Sequence, residues 1–491
     1  MSRIHPLYVA ATLLLALSPA RARASQLATA TREGPGLAWL PAGQVVERVT
    51  SRANRLQQYA AFLPSRYATD QAWPVLVLLD PRGRALLPLD RVREVADRLG
   101  YIVLSSWNSR SDEPEDHNAD AINAILDDAD RLLSIDPHRI YLVGQSGTAR
   151  GSWIFGYRLR GNVAGIIGYG AGTPAGVPLE RARPGVPAGP DFFGAAGIDD
   201  YNFDEMWALD ARLDSLGLRH QIGWFDGIHA WPGAAELTEA VEWMHLQGMR
   251  RGLLAVDRPW IDALYRRRLG DAAMMRAAGA SYRAWRRFRD IETDFAGMHD
   301  IAAATEHRRE LERQPGVFQA ERHLDDLVRQ QAAFNRRLGE VLGHLRKSSV
   351  PLATTWRRLD LDGLVERARD PADTMGAHAA RRALEQVWVY TSFYEPREHL
   401  VHDDPARALA LLAIAERLRP ADPAVALYRA EALTRLGRAE EARDALVTAA
   451  RGGALPEALD RDPTLTALRA DAGARAVLAR LTAADEPSRG S

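Results

Sequence analysis

The chain has 491 residues, 46% hydrophobic and 26% charged, with 63 Lys plus Arg against 64 Asp plus Glu and a formal net charge of −1. The length exceeds what one hydrophobic core organises, so two or three domains are expected. The near-neutral balance provides no global positive field for phosphates, so nucleic acid is not an expected partner. With no cysteine, disulfides and thiolate metal sites are excluded.

Residues 1–24 read as a secretory signal peptide. Arg3 and His5 give a weakly basic start, Leu7 to Leu17 is a short apolar run, and Ala22-Arg23-Ala24 before Ser25 is a small-x-small cleavage site. The run is short for a transmembrane helix, although an uncleaved anchor is the alternative. On this basis the protein is expected in the bacterial periplasm or outside the cell, meeting a membrane only during export.

Residues 37–250 alternate apolar runs with helical stretches. Tyr59 to Leu63, ended by Pro64, then Val75 to Leu79, Tyr101 to Leu104 and Ile140 to Val143 suit strands buried on both faces of a parallel sheet. Leu89 to Leu99 and Ala119 to Leu133 have helical periodicity between them. Val163 to Tyr169, Asp191 to Ala196 and His220 to Phe225 supply three more strands, giving an α/β sheet with helices on both faces. The stretch AGTPAGVPLERARPGVPAGP between two of these strands reads as loop, too short for a helical lid of its own.

From Arg258 onward strand-like runs vanish, and a helical domain is expected over 258–400. Leu324, Leu327, Val328, Phe334, Leu338, Val341, Leu342 and Leu345 follow three-four spacing. Over 401–482 Ala408, Leu412 and Ala415 recur as Ala442, Leu446 and Ala449, at the period of a tetratricopeptide helix pair. Pro420 closes the first copy and Gly437 turns the corner inside the second. A generic Ala-rich bundle is the alternative. Residues 483–491 are expected to be a disordered tail.

The chemistry lies in Ile140-Tyr141-Leu142-Val143-Gly144-Gln145-Ser146-Gly147-Thr148. A buried strand, a Gly-flanked serine and a helix start are the parts of a nucleophile elbow, where the serine occupies a strained turn and its neighbours must be small. Thr148 stands where glycine is usual. The Gly147 amide, at the helix start, is one candidate oxyanion donor. Further on, Gly197-Ile198-Asp199-Asp200 follows a strand end, and Asp200 is the candidate acid, with Asp199 as its rival. His229, in a loop beyond the strand ending at Phe225, is the candidate general base. His138 precedes the serine strand and is not favoured. The second oxyanion donor is expected from Asp80-Pro81-Arg82-Gly83-Arg84. Pro81 lacks an N–H, so the Arg82 amide is the candidate.

Leu79 to Arg84, Gly144-Gln145-Ser146-Gly147, Asp200-Tyr201-Asn202-Phe203 and Gly227-Ile228-His229-Ala230-Trp231-Pro232 together resemble the secreted esterase branch of the α/β-hydrolases. That branch is similar to the polyhydroxybutyrate-depolymerase, feruloyl-esterase and dienelactone-hydrolase groups. The resemblance covers residues 45 to 250, with Thr148 and Ile228 as departures. It implies an α/β-hydrolase fold over that range, ahead of the all-α half read from helical spacing and the repeat, and ester or amide hydrolysis through an acyl-enzyme, with no metal or organic cofactor. A small-molecule or polymer-derived ester is the expected substrate, and the C-terminal repeats offer a surface for a protein partner. Two alternatives stand beside this: a non-catalytic scaffold binding through its repeats, and a peptidase of the prolyl-oligopeptidase kind.

Overall fold

The computed structural model describes residues 40–111, 117–159, 161–182, 189–347, 352–372, 374–452, 462 and 464–476. The leader expected over 1–24, the last residues of the repeat region and the tail over 483–491 lie outside the described residues. The chain divides into two compact bodies between Asp326 and Leu327. Among the described residues no helix is long and apolar enough to cross a membrane.

In the first body the apolar runs become strands β1 (Val45–Thr50), β2 (Gln58–Phe62), β3 (Trp73–Leu79), β4 (Ile102–Ser106), β5 (Ile135–Gln145), β6 (Val163–Tyr169), β7 (Asp191–Gly197) and β8 (His220–Phe225). They form one sheet in the order β1-β2-β4-β3-β5-β6-β7-β8. The β1–β2 and β2–β4 pairs are antiparallel and the remaining pairs parallel. β1 is not apparent as a run in the sequence, because VVERVT leaves only Val49 buried. Five helices alternate with the strands: α1 (Leu86–Leu99), α2 (His117–Leu132), α3 (Gly147–Arg158), α4 (Phe203–Leu216) and α5 (Ala234–Arg250). Leu76, Leu78, Tyr141, Val143, Ile167 and Phe193 share one core with Val92, Val95, Leu237 and Val241 of α1 and α5. On the opposite face Trp153 of α3 packs against Phe192, with ring centroids 4.5 Å apart and planes tilted by 34°. Covering both faces explains why all seven residues of β3 are buried. This is an α/β body whose mostly parallel sheet is covered by helices on both faces. Register pairs Leu79 with Gly144, Gly144 with Gly168 and Gly168 with Gly194, so the carboxyl ends of β3, β5, β6 and β7 finish together. Ligands of open α/β sheets bind at that edge. Between β6 and β7 the described residues form neither helix nor strand, in line with the Pro/Gly-rich sequence there.

Three helices that the sequence groups with the second half, α6 (Arg258–Ala277), α7 (Ser281–Phe295) and α8 (Ala302–Glu312), belong to the sheet body. The reason is at the sheet margin. The buried Arg286 guanidinium of α7 donates to Asp210 Oδ2 at 2.9 Å and to Ile222 O of edge strand β8 at 3.0 Å. Trp243 of α5 donates its indole N–H to Asp294 Oδ1 at 2.8 Å, and Arg268 of α6 reaches Asp294 Oδ2 at 3.0 Å.

Nearby, His245 of α5 lies 3.3 Å from Tyr101 Oη, with its ring edge-on to Trp260. Burial, reinforced by the Arg139 charge, lowers its pKa to about 4. The unfolded chain binds the proton below about 6.5 while the folded state resists it until about 4. Stability is therefore expected to fall as pH drops through that window, and His245→Phe should flatten the fall when urea midpoints are compared from pH 7 to 4.

The boundary between the bodies falls within α9 (Pro315–Leu345), where Leu324, Leu327, Phe334, Leu338, Val341, Leu342 and Leu345 of the expected stripe are buried and Val328 is half-buried. The second body continues with α10 (Leu352–Arg358), α11 (Leu361–Ala368), α12 (Met375–Val389), α13 (Glu395–Val401), α14 (Pro405–Leu418), α15 (Pro423–Arg435), α16 (Ala439–Arg451) and α17 (Thr466–Ala470). Ala408, Leu412 and Ala415 and their counterparts Ala442, Leu446 and Ala449 are all buried in one core with Ala430 and Leu433.

Candidate active site

Ser146 occupies the one-residue step from β5 into α3, with φ 55° and ψ −130°. Among the described residues only four non-glycine positions have positive φ, and Ser146 is the one in the sheet body. Such a conformation costs of order 1–3 kcal/mol and persists only where the surroundings enforce it. Here the Ser146 N–H donates to Tyr169 O at 2.8 Å, and Ser146 O accepts from the Ala149 N–H at 3.0 Å. Gly144 is needed for the tightness of the turn: a Cβ there would lie 2.6 Å from the backbone of Thr148 and Ala149.

Thr148 fits the turn. It is wholly buried, and its hydroxyl lies 2.6 Å from Leu79 O and 2.8 Å from Gln145 O while accepting from the Gln145 N–H at 3.0 Å. The side chain that departs from the usual glycine thus fastens the elbow to the end of β3. Ile228, the other departure, projects outward and is 56% exposed.

Asp200 and His229 meet. The ring nitrogen Nδ1 lies 2.8 Å from Asp200 Oδ1 and 2.9 Å from Oδ2, and the carboxylate also accepts from the Asn202 N–H at 2.8 Å. Asp200 is buried, and it, not Asp199, holds the ring. Tyr201 lies against the imidazole with centroids 4.3 Å apart. Gly170, with φ +62°, backs the pair: a Cβ there would stand 2.7 Å from Asp200 Oδ2 and 3.0 Å from His229 Nδ1. The far nitrogen, Nε2, faces Gln145 Nε2 at 3.2 Å, and among the described residues the Ser146 hydroxyl makes no hydrogen bond to the ring. Sequence order thus brings acid and base into contact and sets the base beside the elbow, while the serine–histidine bond is not made in this arrangement.

The two oxyanion candidates fare differently. The Gly147 N–H, at the start of α3, has no hydrogen-bond partner among the described residues. The Arg82 N–H donates at 2.8 Å to Asp80 Oδ1, so it is committed within its own turn and does not serve as the second donor. An Asp side chain capping the amide two residues on is ordinary turn chemistry, and Asp80-Pro81-Arg82-Gly83 carries its signature.

That turn exposes a residue whose role sequence reasoning missed. The fully buried Asp80 carboxylate accepts from the Arg82 and Arg84 amides, from the Arg84 guanidinium at 2.9 Å and from the Trp231 indole N–H at 2.8 Å. Asp80 thereby joins the end of β3 to the histidine loop. Arg91 holds the same loop by donating to Trp231 O at 2.8 Å and Pro232 O at 2.6 Å. Burial pushes the Asp80 pKa up, but the hydrogen bonds and charge of Arg84 outweigh it and the net direction is down. Asp80→Ala strands two amides and an indole N–H. We expect it to cost roughly 3 kcal/mol in a urea titration, at the low end for a broken buried pair because Arg84 is half exposed.

No protein-family model matches the sequence, and no curated protein matches it. Solved structures do resemble part of the chain. An S-formylglutathione hydrolase from Staphylococcus aureus is 13% identical over 41% of this chain and 97% of its own, with TM-score 0.32. Thermogutta terrifontis esterase 2 is 15% identical over 44% and 98%, with TM-score 0.33. The Bacillus cereus carboxylesterase is 21% identical over 40% and 96%, with TM-score 0.31.

Proposed function

We propose that the protein is a serine hydrolase that cleaves carboxylic esters through an acyl-enzyme. The observation that carries this is the buried Asp200 carboxylate holding the His229 ring beside a serine at φ 55°. In this mechanism Ser146 Oγ attacks the carbonyl carbon as its proton passes to His229 Nε2, and Asp200 balances the imidazolium charge. The Gly147 amide, at the positive end of α3, stabilises the oxyanion. The proton on Nε2 then leaves with the alcohol, and water, deprotonated by the same nitrogen, releases the acid. Preference for esters over peptides rests on the motif resemblance. We further propose export to the periplasm or beyond, on the leader alone, and protein recognition by the tetratricopeptide-like helices α14–α16.

The test is a fluorophosphonate probe followed by peptide mapping, alongside turnover of short-chain p-nitrophenyl esters. The expected adduct is on the peptide containing Ser146, at one per chain. An adduct elsewhere, or none together with no ester turnover, refutes the proposal and favours the scaffold alternative. Preferential cleavage of a dipeptide amide favours the peptidase.

A further inference from the structure

We infer that Gln145 is a positioning residue that holds the lone-pair nitrogen of His229 in a resting hydrogen bond, so that Ser146 gains its base only when this bond is released. The inference rests on the serine-hydrolase reading above. Asp200 fixes the ring from one side, and an ionised carboxylate only accepts, so Nδ1 carries the proton. Nε2 is then a bare acceptor. The group 3.2 Å from it is the Gln145 side-chain amide nitrogen, which only donates. The opposite amide orientation would set a carbonyl oxygen against the lone pair, so the tautomer fixes the orientation.

Two donors on adjacent residues therefore compete for one lone pair: the Gln145 side-chain N–H and the Ser146 O–H. In the arrangement seen here Gln145 has it, and the serine hydroxyl is unbonded to the ring. The main chain cannot yield easily, because the Gln145 backbone N–H is fastened to Thr148 Oγ1 at 3.0 Å and the residue is 5% exposed. Release is thus a side-chain event, a rotation of the amide or a tilt of the ring. Ring protonation also breaks the bond, since an imidazolium has no lone pair to offer. The groups facing the ring are Asp200 and Tyr201 from the β7–α4 connection, Gln145 from the elbow and the backbone of Gly170 from the end of β6.

The experiment measures fluorophosphonate labelling rates from pH 5 to 9 for the full-length protein and for Gln145→Leu and Gln145→Glu. Leucine frees the lone pair, so the alkaline plateau is expected to rise roughly three- to tenfold, the worth of one hydrogen bond, and the acidic limb to move to higher pH. Glutamate accepts from the protonated ring instead of donating to the neutral one, and its limb is expected to move further still. If the leucine substitution disturbs folding, the limb of the near-isosteric glutamate variant carries the test alone. Wild-type plateau and limb in both folded variants overturn the inference and leave the hydrolase reading standing. A slower leucine variant with an unmoved limb overturns it too, because Gln145 then only fills space. If the wild-type protein shows no Ser146-dependent labelling, the hydrolase reading fails and takes the inference with it.

Discussion

Ser146→Ala is expected to lower ester turnover by about 10⁵- to 10⁶-fold, the scale on which loss of a nucleophile removes covalent catalysis. Fluorophosphonate labelling should vanish with it. The serine hydroxyl makes no hydrogen bond to the ring and its removal leaves no buried group newly unpaired, so the unfolding free energy from a urea titration should stay within about 0.5 kcal/mol of wild type. Alanine is expected to hold the positive φ no worse than serine, as Ala421 does at φ 59°. A variant that retains more than about a hundredth of the activity places the reactive group elsewhere.

The second large effect is at Asp200. Asparagine keeps the shape of the side chain but offers an N–H where the carboxylate accepted from His229 Nδ1. The ring then protonates on Nε2, the nitrogen that must act as base, and an emerging imidazolium has no counter-charge. Turnover is expected to fall on the order of 10³- to 10⁴-fold with KM little changed. The neighbouring Asp199→Asn is the control, expected to stay within about threefold, since the ring's contacts are with Asp200. Equal losses at both positions would mean that the acidic pair acts by maintaining the loop and not by orienting the imidazole.

How far the sequence spoke differs by kind of feature. Strands buried on both faces, such as Val75 to Leu79 and Val163 to Tyr169, are continuous apolar runs and were legible as such. The order serine, acid, histidine was legible because each follows the end of a strand, and strand ends share one edge of a parallel sheet. β1 was not, because a half-exposed antiparallel margin needs few apolar residues. The Arg82 amide was misjudged because an N–H direction depends on a turn's internal hydrogen bonds, and Asp80 had already taken this one. Gln145 and Gly170 escaped notice for a related reason: their importance lies in what they touch across the chain, and neither residue type announces that by spacing.

The clasp of Arg286 on Ile222 O also bears on how the protein can be divided. A recombinant fragment trimmed at residue 250, where the apolar strand pattern ends, would leave β8 with unpaired backbone groups facing water, a template for intermolecular sheet growth. Fragments carrying the candidate catalytic machinery are therefore expected to remain monodisperse only when they run through α8, and the shorter ones to precipitate or form fibrous aggregates.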